Sequence, residues 1–238
     1  MRIAVLSAMA EELALYEETC RLEGAVEQAG LTLQSARFEG HDLVLVKTGV
    51  GKVNAALATQ LVIDRMNPEA VICTGTAGAL HDGLAVGDLL VGEDCLQHDL
   101  RVEFLGLSPG HIPFTDLREF TSAPSLVQRA QAIDLPEHTV HTGRVLTGDT
   151  FVQNDTTRRT LHDELGGDCV EMEGAAVGQV CTLNEVPFLI VRAISDRADG
   201  SSDIDFQTFL HDAAWSSARL VLQLLTEVSA DGPAEREV

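Results

Sequence analysis

Residues Pro187-Phe188-Leu189-Ile190-Val191-Arg192-Ala193-Ile194 are apolar at every position but one. The run is too short to cross a bilayer, which takes about 20 apolar residues. It carries no alternating polar face of the kind a half-exposed strand needs. It predicts a strand buried on both sides, and therefore a sheet with helices covering each face. Arg192 interrupts that strand. An isolated buried guanidinium is costly, so the fold must bring an acid to it from elsewhere in the chain.

The remaining pattern supplies the other layers. Residues 2–8, 30–38, 41–48, 70–74, 88–96, 139–147 and 168–172 read as strands. Residues 10–21, 51–65, 124–133, 154–165, 173–184 and 205–228 read as helices. Glu39-Gly40-His41-Asp42 marks a tight turn between two strands. From His98 to Pro124 the periodicity breaks down, as in a functional loop. Alternating strands and helices without a linker or repeat predict one α/β domain over residues 1–230. The fold class is a three-layer α/β/α sandwich with a mixed central β-sheet, and 231–238 read as a frayed polar tail.

Composition excludes several classes of partner. Sixteen basic against 37 acidic residues give a net charge of −21, which argues against nucleic acid and anionic membranes. The cysteines Cys20, Cys73, Cys95, Cys169 and Cys181 show no metal-ligand spacing and sit in apolar contexts. They fit a reduced cytoplasmic setting with no metal and no cofactor. No signal segment or transmembrane run is found.

Ligands in such sheets gather where strands end. Strand 2–8 runs into Met9, Glu11 and Glu12. Strand 41–48 runs into Val50 and Gly51. Strand 70–74 runs into Thr76, Ala77 and Gly78, and strand 139–147 into Phe151 and Val152. Strand 168–172 ends in Glu171-Met172-Glu173, and the apolar strand ends in Ser195-Asp196. Each residue has an ordinary structural reading. Acids suit the first turn of a helix, glycines make turns, an aspartate caps, and phenylalanine fills a core. Gathered at one edge they suggest acid and base groups, an aromatic stacking surface and acceptors for sugar hydroxyls.

In this order the segments Ser7-Ala8-Met9-Ala10-Glu11-Glu12, Gly49-Val50-Gly51-Lys52, Thr74-Gly75-Thr76-Ala77-Gly78, Gly148-Asp149-Thr150-Phe151, Val170-Glu171-Met172-Glu173 and Arg192-Ala193-Ile194-Ser195-Asp196 resemble the nucleoside phosphorylase superfamily. More closely, they resemble its 5'-methylthioadenosine/S-adenosylhomocysteine nucleosidases, over about residues 1–228. The resemblance implies hydrolysis of the N-glycosidic bond in adenine nucleosides with a 5'-thio group, and in 5'-deoxyadenosine. It implies a homodimer. By position, Asp196 is the general acid to adenine N7, oriented by Ser195, and Glu12 is the base for water. An acid of raised pKa and a base of ordinary pKa are the expected pairing. Thr76 and Arg192 lie near that water. Glu173, with Met172 and Glu171, holds the ribose. Phe151, Val152 and Phe206 form the adenine pocket, and Met9, Val50, Ala77 and Gly78 complete the lining. Phe104, Leu107 and Pro113 belong to a loop offered to the neighbouring subunit. Three departures stand out: Ala10 replaces an acid, Thr76 a serine and Leu107 an aromatic.

Three rivals remain at this stage. A purine nucleoside phosphorylase needs a cationic phosphate cradle, where this chain has Glu11 and Glu12. A futalosine-type nucleosidase differs only in the 5'-substituent. A non-catalytic nucleoside-binding protein has no need of a base such as Glu12.

Overall fold

The computed structural model describes residues 1–199 and 202–228; the expected tail lies outside them. β1 (Arg2–Ser7) leads into α1 (Ala10–Thr19), and β2 (Arg21–Gln28), β3 (Leu31–Phe38) and β4 (His41–Lys47) follow. Next come α2 (Lys52–Met66), β5 (Ala70–Ala79), β6 (Leu89–Gln97), a 3₁₀ turn at Glu103–Leu105, β7 (Glu119–Thr121) and α3 (Pro124–Gln131). The chain continues through β8 (Val140–Thr147), α4 (Asp155–Leu165), β9 (Cys169–Glu171), α5 (Gly174–Leu183), β10 (Phe188–Asp196) and α6 (Ser202–Glu227).

Successive residues of a strand face opposite sides, and the two cores follow that rule. Ile3 and Val5 of β1, Leu43 and Leu45 of β4, Ile72 of β5 and Val191 of β10 pack beneath α1, α3 and α6. Their neighbours Ala4, Leu6, Val44, Val46, Val71 and Ile190 pack beneath α2 and α5. Strands buried on both faces therefore carry no polar alternation, as the run 187–194 foretold. A smaller cluster of Leu80, Leu146, Val152, Leu161 and Leu165 seats α4.

The sheet is mixed, with the order β10-β6-β8-β9-β5-β1-β4-β3-β2 and β7 attached to β6. β1 lies between β4 and β5, parallel to both. β10 pairs parallel with β5 and antiparallel with β6. Because β6, β8, β9 and β5 also pair in sequence, five strands close a circuit at this end of the sheet. The glycine-rich stretch 75–78, read from sequence as the turn after a short strand, continues β5. It pairs with β10 on one side and, at Gly78 and Ala79, with β9 on the other.

Two elements differ further from the sequence reading. β2 was not foreseen because nearly all of Arg21–Gln28 is exposed, so no apolar alternation marks it; it is held only by its hairpin partner β3. β7 is a three-residue strand inside the irregular segment, and a short stretch of that length leaves no period to detect.

α5 packs unusually close to the sheet through Gly178. A Cβ there would meet Cys95 Sγ at 2.7 Å and Phe120 Cβ and Phe188 Cζ at 3.0 Å. Helix propensity alone favours alanine over glycine by about 1 kcal/mol, whereas overpacking costs about 1–3 kcal/mol. Gly178→Ala is therefore expected to lower stability in urea unfolding. A raised midpoint would show that the helix does not depend on this close approach.

Candidate active site

The C-terminal ends of β1, β4, β5, β8, β9 and β10 open on one cleft of about 240 Å³, which β5 lines through Thr76 and Gly78. Met9, Glu12, Val50, Thr76, Gly78, Phe151, Val152, Glu171, Met172, Glu173, Ser195, Asp196 and Phe206 all line it. Residues scattered along the whole chain thus meet in one place.

Glu12 enters from the first turn of α1. Its Oε2 accepts the Met9 N–H at 3.0 Å and its Oε1 the Thr76 N–H at 3.1 Å, which ties β1, α1 and β5 together through one carboxylate. Burial pushes its pKa up; the nearby Arg192 and the backbone donors work against that rise. The sequence reading gave the base an ordinary pKa. The difference arises because the side chain is buried on the floor of the cleft, where a charge loses most of its hydration.

The turn between β9 and α5 places the other two glutamates. Glu171 Oε2 accepts the Glu173 N–H at 3.0 Å, and the Gly174 N–H reaches the same carboxylate at 2.7 Å. Thr147 Oγ donates to Glu171 and accepts the Ala175 N–H at 2.7 Å. Arg192 Nη2 completes the set on Glu171. Glu173 Oε1 accepts the Gly51 N–H at 2.7 Å, and its Oε2 is 3.8 Å from Arg192 Nη2. Burial, then the like charge of Glu171, pushes the Glu173 carboxyl up to about 7.

Arg192 is 1% exposed and lies behind the cleft wall. Its guanidinium faces Glu171 and Glu173 and donates to Cys73 Sγ at 3.2 Å. The acid that the apolar strand demanded is thus Glu171 first. Gly75 makes room for this arrangement, since a Cβ there would fall 2.4 Å from both Arg192 Nη1 and Glu12 Oε1.

Asp196 ends β10. Its Oδ2 accepts the Ser195 hydroxyl at 2.9 Å and its Oδ1 the Ala198 N–H at 2.8 Å, so both oxygens are oriented. Phe151 and Phe206 meet edge to face at the mouth, with centroids 5.6 Å apart. The cleft therefore joins an aromatic mouth to a floor of carboxylates. Lys52, at the start of α2, turns away and binds Asp99 at 2.6 Å and Gln97 at 3.1 Å.

Two residues expected at the cleft, Ala77 and Arg192, do not line it, and the loop residues expected to serve a neighbouring subunit lie outside their own chain's cleft. Ala77 is buried in β5, paired with Ile194. Phe104 is 85% exposed, and Leu107 and Pro113 are half-buried in the loop; none of the three lines the cleft of its own chain. Conversely Ala8, Thr150, Val170 and Ala198 line it without having been singled out. The first three sit inside motifs that were legible. Ala198 had no signal in its residue type: it contributes through an unusual φ of +50° that aims its N–H at Asp196. Among the described residues no group of three His, Cys, Asp or Glu could hold a metal ion.

The phosphorylase superfamily matches residues 2–226. The chain is 37% identical over 233 residues to a 5'-methylthioadenosine/S-adenosylhomocysteine nucleosidase of Geobacillus thermodenitrificans, covering 97% of this chain and 98% of the relative. The Neisseria meningitidis nucleosidase of the same name, solved in complex with methylthio-immucillin-A, superposes with a TM-score of 0.91 at 35% identity, over 95% of this chain and 99% of that one. A futalosine hydrolase mutant of Helicobacter pylori superposes with a TM-score of 0.89 at 28% identity, over 96% and 100%.

The raised Glu173 pKa links the site to stability. The folded protein holds a proton on Glu173 between the ordinary value of 4.5 and about 7, where the unfolded chain has lost it. That contribution is full below 4.5 and is lost as pH rises through 7. Glu173→Gln keeps the size and removes the titration. Its melting temperature relative to wild type is expected to climb between those two values. A difference that stays flat with pH would mean that Glu173 titrates normally.

Proposed function

The chain belongs to the phosphorylase superfamily and, within it, to the 5'-methylthioadenosine/S-adenosylhomocysteine nucleosidases, and from this we propose that it hydrolyses the N-glycosidic bond of those two nucleosides and of 5'-deoxyadenosine. One observation carries the choice of water as nucleophile. The cleft floor is lined by Glu12, Glu171, Glu173 and Asp196, and among the described lining residues there is no lysine or arginine. A phosphorylase must hold a dianion beside the anomeric carbon with fixed cations. Arg192 lies behind the wall with its charge already met by Glu171 and Glu173.

In this reading adenine stacks on Phe151, with Phe206 closing the pocket and the backbone of Val152 at its edge. Asp196, aimed by Ser195 and Ala198, gives a proton to N7, and the electron pair of the C1'–N9 bond departs with the base. The ribose hydroxyls rest on Glu173 and the Met172 backbone. The positive charge that develops on the sugar ring falls beside Glu173, whose carboxylate then stabilises it. Water adds to C1' and yields its proton to Glu12, close to Thr76. Adenine and a free thio-ribose result. A Glu12 of raised proton affinity suits this task better than an ordinary carboxylate, because a base works best when its pKa lies near the working pH.

The 5'-substituent points toward subunit association. Val50, at the cleft, precedes α2, and Val53 and Leu57 follow on the helix; all three are exposed. Val53 and Leu57, four residues apart, share one face of the helix. Phe104 and Phe114 on the nearby irregular segment are also exposed. We assign this surface to a second copy of the chain, whose loop residues Phe104, Leu107 and Pro113 would close the 5'-pocket. Light scattering is expected to return twice the chain mass, and Val53→Glu to return a single one. A wild-type monomer with full activity would remove the assignment.

The activity itself is tested by product. Methylthioadenosine is expected to yield methylthioribose by mass, at a rate that phosphate does not raise; sugar 1-phosphate would favour the phosphorylase. Asp196→Asn should lose about 10²–10⁴-fold in turnover. Glu12→Gln should still bind the nucleoside while barely cleaving it. A futalosine-type substrate assayed alongside decides the second reading, which the Helicobacter pylori neighbour keeps in view.

A further inference from the structure

One buried cluster holds three carboxylates and one guanidinium: Glu12 at 3% exposure, Glu171 and Glu173 at 6% each, and Arg192 at 1%. Fully ionised, it would carry a net charge of −2 on side chains almost wholly withdrawn from solvent, which burial disfavours. A proton held within the cluster relieves that charge. The hydrogen bonds single out the carboxylate that receives the most donors. Glu171 receives the Thr147 hydroxyl, two backbone N–H groups at the start of α5 and Arg192 Nη2. Glu12 has two backbone donors from Met9 and Thr76, and Glu173 has one from Gly51. The N-terminal end of α5 adds its own partial positive charge at Glu171.

We propose that Glu171 is a positioning residue for the reaction: it takes up the charge of Arg192, and so leaves Glu12 and Glu173 to retain a proton between them. It acts on the reaction through Arg192, Glu12 and Glu173. This rests on the reading of Glu12 as the base. The other groups facing the pair are few. Arg192 comes from β10, Glu171 from the end of β9, Cys73 from β5 and Tyr16 from α1, with Asp196 lining the same cleft. Burial pushes the Cys73 thiol up to about 12 and raises the Tyr16 phenol, so neither takes or gives a proton in the working range. Arg192 is then the one cation among these groups, and whichever carboxylate holds it decides how basic the others remain. If Arg192 faced Glu12 and Glu173 without Glu171, both would become weaker bases.

Glu171→Gln is the direct test. It removes the charge and leaves one acceptor oxygen, for either the Thr147 hydroxyl or the Glu173 N–H, with the Gly174 N–H in reach of both positions. The acid limb of the kcat/KM profile is expected to move to lower pH by roughly one unit, the low end for a carboxylate gaining a cationic neighbour. Glu171→Asp, which keeps the charge, is expected to restore the wild-type limb. An unmoved limb in Glu171→Gln, with only stability or turnover reduced, would assign Glu171 a structural role and overturn the proposal. If that variant does not fold, the wild-type protein carries the test. Carbon NMR of labelled glutamates is expected to show a carboxyl titrating above about pH 6 that disappears in Glu12→Gln or Glu173→Gln. A high titration surviving in both variants would contradict the proposal, as would no high titration at all. These outcomes do not depend on which nucleoside is cleaved. Failure of the nucleosidase reading would instead appear in the product assay and in an active Glu12→Gln enzyme.

Discussion

The pairing of Arg192 with Glu171 is the contact on which the site is built. A guanidinium in the middle of a strand buried on both faces cannot go unpaired, and the sheet brings the answering carboxylate from the end of β9. That carboxylate also binds the first amides of α5. One ion pair therefore fixes the side chain on β10, the turn carrying Met172 and Glu173, and the start of a helix. Glu12 joins the same assembly from α1 through its two backbone donors. The charge that makes the core expensive is the charge that orients the chemistry.

Room for this assembly comes from what is missing. Without a side chain at Gly75, Arg192 and Glu12 reach over the backbone of β5. Gly78 does the same for Asp196, whose Oδ1 would lie 2.8 Å from a Cβ there. The strand keeps its pairing with β10 while carrying both gaps. The carboxylates of the cleft thus rest against a strand with partners on both edges, a firmer support than a loop.

Much of this is legible in the sequence. The apolar runs located the central strands, the strand ends located the cleft, and the isolated arginine announced a buried acid. What was not readable follows a physical pattern. β2 is exposed along almost its whole length, so burial left no mark on its sequence. The stretch 75–78 reads as a turn because glycine is usually spent on conformation, whereas here it provides space. The proton affinity of Glu12 depends on how deeply α1 seats it, which no local pattern states. Glu171 and Glu173 are one residue apart and alike in type; only the donors that converge on one of them set their environments apart.

The circuit β5-β9-β8-β6-β10 has a consequence for how the molecule comes into being. β5 is made early and its partner β10 late, with most of the C-terminal half between them. Glu12 is among the first residues synthesised, and its counter-charge Arg192 emerges near the end. Until then nothing compensates a carboxylate at the bottom of that cleft, and β5 has an open edge. Such long-range pairings close slowly, because loop entropy is lost before the contacts form. A nascent chain is therefore obliged to keep Glu12 in water until β10 docks. The same step that closes the sheet admits Glu12 to its pocket, so the cleft's carboxylates assemble together.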